Sequence, residues 1–142
     1  MTQADHEYYF GFENIHILGS SSTPKILLNK DEGIIELRGN SFTEDSKTFY
    51  WSLSRWLMEY SYEPAEKTKV LLAFNYMNSS SNMVVAQMFA RLNELLNGGS
   101  LLDVEWYYEK GDTDMQDLGI YYQQLVRCPF RLIEVKDIMD QS

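Results

Sequence analysis

Apolar positions along this chain recur at two spacings, every second residue in some segments and every third or fourth in others. Lys25 to Asn29 and Ile34 to Arg38 are aliphatic runs around Lys30-Asp31-Glu32-Gly33, a pattern that predicts a β-hairpin. Ile15 to Leu18 is a possible short strand before it, and Gly39-Asn40-Ser41-Phe42 reads as a connector after it. Phe49, Tyr50, Leu53, Trp56, Leu57 and Tyr60 then follow at helical spacing. Thr43 is the expected N-cap of that helix, Glu44 and Asp45 its acidic first turn, and Pro64 its limit. Lys69 to Met77 is apolar on both faces, as a central strand should be. Met83 to Leu96 is amphipathic, with Val84, Val85, Met88, Leu92 and Leu95 on one side and Gln87, Arg91 and Glu94 on the other. Gly98-Gly99 ends it.

The second half repeats the alternation. Leu101 to Tyr108 has period two, with Leu102, Val104, Trp106 and Tyr108 facing the core and Asp103 and Glu105 facing away. Thr113 and Gln116 have capping-box spacing at the start of a third helix. Met115, Leu118, Tyr122, Leu125 and Val126 are its expected buried face, and Pro129 stops it. Phe130 to Val135 is a last strand, followed by a tail expected to fray. The order predicts one α/β domain: a mixed sheet with an N-terminal hairpin, three main helices, and parallel later strands joined by right-handed crossovers. Residues 1–13 form an aromatic extension, 14–136 the domain, and 137–142 the tail. Packing on the domain is the default expectation for Tyr8, Tyr9, Phe10 and Phe12.

Charge and composition narrow the function. Twenty-one acidic residues against 12 basic ones give a net charge of −9. A nucleic-acid or anionic-membrane surface needs a basic face, and the Lys and Arg residues are scattered. No apolar run is long enough to span a bilayer. Met1 to His6 lacks the start of a secretory signal, and the single Cys128 allows no internal disulfide. Both features lead us to expect a cytoplasmic protein.

Catalytic patterns are missing. His6 and His16 precede the body of the fold, and no nucleotide-binding, zinc or nucleophile-elbow motif occurs. No cofactor or metal is expected. Asp112, Asp114 and Asp117 are an acidic group that could bind a divalent cation, although favourable charge at a helix start is the commoner explanation. A small-ligand domain or small enzyme built from loop 112–117 with Tyr107 and Tyr108 is the alternative. Asn78-Ser79-Ser80-Ser81 is more informative, because it places three hydroxyls where a strand hands over to a helix. Helix capping, with Ser80 or Ser81 as the expected cap, is the commoner explanation, and the same residues also suit an anion at the helix start. The two readings are compatible.

Taken together, five segments resemble the SiaC family of bacterial regulatory phosphoproteins. They are Ser22-Thr23-Pro24-Lys25-Ile26, Gly39-Asn40-Ser41-Phe42-Thr43-Glu44-Asp45, Tyr76-Met77-Asn78-Ser79-Ser80-Ser81, Trp106-Tyr107-Tyr108 and Asp112-Thr113-Asp114-Met115. The resemblance runs from about Ser22 to Glu134. It implies a STAS-like fold, related to anti-anti-sigma factors, and a switch without catalytic activity. It further implies a dedicated kinase, a PP2C-like phosphatase, and a client, such as a diguanylate cyclase, bound in the unmodified form. Ser79 takes the position of the family's acceptor Thr. Asn40, Ser41, Glu44, Asn78, Ser80, Ser81, Tyr107 and Tyr108 are the expected partner-binding residues, with Asn40, Ser41 and Glu44 expected near Ser79.

Overall fold

The computed structural model describes residues 9–41 and 46–139, with the backbone alone over 46–50. Strands β1 (Ile15–Ile17), β2 (Lys25–Asn29) and β3 (Ile34–Ser41) are followed by α1 (Ser46–Tyr60) and β4 (Lys67–Met77). Then come α2 (Ser79–Asn97), β5 (Leu101–Glu109), α3 (Thr113–Leu125) and β6 (Phe130–Val135). The six strands lie side by side in chain order. β1, β2 and β3 pair antiparallel, and β3 to β6 pair parallel. Because each parallel strand lies next to its predecessor, crossovers of one hand put all three helices on one face of the sheet.

That face is the core. Ile26, Leu37, Leu72, Val104 and Trp106 point into it from successive strands, all at most 1 % exposed. Leu53, Trp56 and Tyr60 of α1 and Met88, Leu92 and Leu95 of α2 close over them. Trp106 is fully buried, and its Nε1 donates to the Met115 carbonyl at 3.0 Å. A Cβ on Gly119 would come within 2.5 Å of its ring, so α3 approaches the sheet this closely only because residue 119 has no side chain.

The other face has no helices and is closed by ion pairs. Glu36 is shared by Lys25 at 3.4 Å and Arg38 at 3.1 Å. Glu105 is shared by Lys69 at 3.4 Å and by Arg131. The alternation expected for Leu101 to Tyr108 holds, with Asp103 and Glu105 on the helix-free side. Glu105 is nonetheless buried there, because Lys69, Arg131 and the Tyr107 hydroxyl converge on its carboxylate.

Several boundaries differ from expectation. β3 runs through Gly39 to Ser41, where a connector was expected, because β4 continues beside it. α2 starts at Ser79, five residues before Val84, the first apolar position of its stripe. Leu125 is 49 % exposed, since α3 reaches its last turn past the edge of the core. The tail does not fray over 137–139: Ile138 is fully buried, its N–H donates to Glu109 and its carbonyl accepts from Arg38. At the other end residues 9–13 of the extension pack on α1, with Phe12 against Trp56 and the Glu13 carbonyl accepting from Trp56 Nε1 at 2.8 Å. Thr43, Glu44, Asp45 and Tyr8 lie outside the described residues, as do the side chains of Phe49 and Tyr50.

Candidate functional site

The site forms where β4 leaves the sheet. β3 and β4 are in register up to Gly39 opposite Phe74, after which Asn40 faces Tyr76. Asn75 is therefore the extra residue of a bulge, and Gly39 at φ +121° supplies the backbone conformation that the bulge needs. Four residues later, at Ser79, the chain enters α2.

Asn78 is the N-cap. Its Oδ1 accepts from the Ser81 N–H at 2.9 Å, and its carbonyl accepts from the Asn82 N–H at 2.9 Å. The expectation that Ser80 or Ser81 caps the helix is thus corrected: the strongest capper of the run, Asn, lies one residue before the serines. Ser81 is buried instead, and the Ser41 hydroxyl donates to it at 2.8 Å. The Ser41 carbonyl also accepts from the Asn78 N–H at 3.1 Å. From the other side the Tyr122 hydroxyl meets both the backbone and side-chain oxygens of Asn82. Strand β3 and helix α3 thus hold the first turn of α2 between them.

Ser79 is the first residue of that turn and is exposed, as is Ser80. Ser79 opens on a cleft of about 300 Å³, whose walls include Tyr76, Asn78, Asn82, Asp112 and Asp114. The acidic loop therefore shares the cleft with Ser79. Asp112 is itself the N-cap of α3, with Oδ1 accepting from the Met115 N–H at 3.1 Å, one residue earlier than the expected Thr113. Gln116 donates to the Tyr108 hydroxyl at 3.4 Å and does not complete a capping box. No Lys, Arg or His lines the cleft among the described residues. Among those residues no group of three His, Cys, Asp or Glu side chains is placed to hold a metal.

Of the remaining expected residues, Asn40 and Ser41 pair with Tyr76 and Met77 just before Ser79, while Tyr107 and Tyr108 lie apart from the cleft. Asn40 is half-buried beside the bulge, and its side chain donates to the Ser21 carbonyl at 3.0 Å. Ser41 is close to Ser79 but buried in the latch just described. Glu44 lies outside the described residues. Tyr107 and Tyr108 point to opposite faces, as consecutive strand residues must. Tyr108 is buried under the helices at 9 % exposure. Tyr107 lies on the helix-free face, where burial and then the Glu105 hydrogen bond push its pKa up. Neither tyrosine lines the cleft, and only Tyr108 meets the 112–117 segment, through Gln116. Cys128 is half-buried, and desolvation followed by Asp103 pushes its thiol up to about 11, which makes it a poor nucleophile near neutrality.

A sequence profile of the SiaC family regulatory phosphoproteins matches residues 17–135. The chain belongs to this family. An uncharacterised protein of Pseudomonas aeruginosa (strain UCBPP-PA14) is 23% identical over 119 residues, covering 84% of this chain and 94% of that protein. Among solved structures, apo-SiaC of P. aeruginosa matches with a TM-score of 0.76 at 22% identity, over 85% of this chain and 98% of that one. SiaC described as the activator in a complex with the diguanylate cyclase SiaD matches at 0.79 and 22% identity, over 86% of this chain and 100% of that one. The SiaC fold is therefore the fold of this chain. Family membership makes it a regulatory phosphoprotein, and no described helix is long and apolar enough to cross a membrane.

Proposed function

We propose that the chain is a non-enzymatic switch in cyclic di-GMP signalling, phosphorylated on Ser79 by a partner kinase and reset by a PP2C-like phosphatase. In its unmodified form it binds a client of the diguanylate cyclase class in the cytoplasm. The client class follows the SiaC–SiaD complex of P. aeruginosa. One observation carries the reading: Ser79 is an exposed hydroxyl on the first turn of a helix whose start is capped by Asn78 and held between β3 and α3.

The physical chemistry supports a switch. The first turn of α2 contains no acidic residue, so its positive end is uncompensated. A phosphate on Ser79 adds roughly −1.5 to −2 charges there at neutral pH. The helix end stabilises it by about 0.3–1 kcal/mol, while Asp112 and Asp114 across the cleft repel it. With no cation among the described residues of the cleft to hold it, the phosphate stays in solvent and within reach of a phosphatase. A client that covers Ser79 must desolvate that charge, so modification weakens binding and leaves the fold intact. Exposed Tyr76 and Met83, 53 % and 66 % accessible, flank the serine and provide apolar contact area.

Intact-mass measurement of the chain purified from its native host tests the acceptor. A single addition of about 80 Da (one phosphoryl group) that disappears in Ser79→Ala is expected. An addition that persists in Ser79→Ala would place the switch elsewhere.

A further inference from the structure

Asn82 lines the same cleft as Ser79. The two are three residues apart on α2, which makes them neighbours on the helix surface. Side chains on a helix lean toward its N-terminus, so the Asn82 amide reaches back over the first turn, where Ser79 sits. Asn82 Oδ1 accepts from the Tyr122 hydroxyl. Asn82 Nδ2 carries two N–H donors, and they form no hydrogen bond among the described residues.

Tyr122 holds that amide from α3. Its ring is buried and packs against Phe89 and Trp106, with centroids 4.8 Å and 5.6 Å away, so the hydroxyl has a fixed place. Desolvation, and then Tyr121, push its pKa up to about 12, and it remains a donor near neutral pH. With Oδ1 on that hydroxyl, Nδ2 is the arm of the planar amide left for the cleft. The titratable groups lining the cleft are Tyr76 of β4 and Asp112 and Asp114 at the start of α3, among the described residues. A phosphate on Ser79 would meet two carboxylates that favour its protonated form and a helix end that favours its charged form. An amide donor adds to the second effect. Being neutral, it aims the phosphate without retaining it as a guanidinium would.

We propose that Asn82 is the donor that orients the phosphate of Ser79, and that Tyr122 is a positioning residue that fixes the Asn82 amide. This rests on Ser79 as the acceptor and deepens that reading. Asn82 Nδ2 donates to a phosphoryl oxygen and favours the dianion at neutral pH. It thereby increases the charge that a covering client must desolvate.

The test is a phosphorus NMR titration of the full chain with phosphoserine installed at position 79 by codon suppression, alone and with Asn82→Ala, Asn82→Asp or Tyr122→Phe. The second pKa of phosphoserine is ordinarily about 6. It should rise by about half a unit in Asn82→Ala, which removes the donor. Alanine is the better helix former, so fraying of the first turn does not account for such a rise. The rise should be larger in Asn82→Asp, which keeps the side-chain shape and the acceptor for Tyr122 but puts a carboxylate where the donor was. Tyr122→Phe keeps the ring in the core and frees the amide to turn, so its rise should be smaller than that of Asn82→Ala. A contact that served only the fold would change the melting temperature and leave the phosphate's titration in place. A second pKa unchanged in Asn82→Ala would overturn the proposal and spare Ser79 as the acceptor. A wild-type value in Tyr122→Phe beside a raised one in Asn82→Ala would overturn the positioning role of Tyr122. The acceptor itself is tested separately by the native mass addition, and an addition that survives Ser79→Ala would overturn both.

Discussion

Helices α2 and α3 start in the same way and differ in their charge. Each follows a parallel strand, each is capped by an Asx side chain that accepts from the N–H three residues on, and each begins with an exposed hydroxyl residue, Ser79 or Thr113. At α3 the cap is the carboxylate of Asp112, and Asp114 follows in the first turn. At α2 the cap is the neutral Asn78, and the first turn has no acidic residue. The dipole of α3 is already compensated by resident charge, and that of α2 is not. Of two similar hydroxyls, Ser79 is therefore the one at which a new negative charge meets a favourable field. The same cleft separates them, so the carboxylates that occupy one helix start limit how firmly the other can hold a phosphate.

The largest test of this contrast is Trp106→Ala. Trp106 anchors α3 through the Met115 carbonyl and packs against Gly119, and losing a buried tryptophan costs about 3–5 kcal/mol. Thermal unfolding should show that loss, and hydrogen exchange should show the start of α3 opening before that of α2, which Ser41 holds from the other side. The caps come next. Asn78→Ala and Asp112→Ala should each cost about 1 kcal/mol. Only the Asp112 loss should shrink as salt is added, because only that cap is charged. Equal salt response would mean that the two starts do not differ as described. Smallest is the phosphate itself: unfolding of the Ser79-phosphorylated chain should shift by no more than about 1 kcal/mol, in a salt-dependent way.

Much of this arrangement was legible in the sequence. The strands and helices followed from apolar periodicity, because one face of every strand and one stripe of every helix had to be buried. Trp106 inside and Asp103 outside came from that rule alone. What periodicity missed is what depends on pairing between distant segments. Gly39 to Ser41 became strand because β4 lay alongside. Ile138 was buried by Arg38, one hundred residues away in sequence. The Ser41–Ser81 and Tyr122–Asn82 contacts that fix the site have no local signature. A local signal did exist for the cap, since Asn78 and Ser81 have the spacing of a side chain bonding a backbone N–H three residues on. Tyr107 and Tyr108 were grouped as neighbours in sequence although strand alternation separates them.

The central claim is that charge at Ser79 controls binding while the fold stays the same. Isothermal titration of the diguanylate cyclase client with unmodified and Ser79-phosphorylated chain tests it most directly, with circular dichroism of both forms as the check on folding. Burying a phosphate opposite a desolvated contact should lower affinity by at least about tenfold, roughly 1.4 kcal/mol, with unchanged spectra. Equal affinity for the two forms would contradict the account.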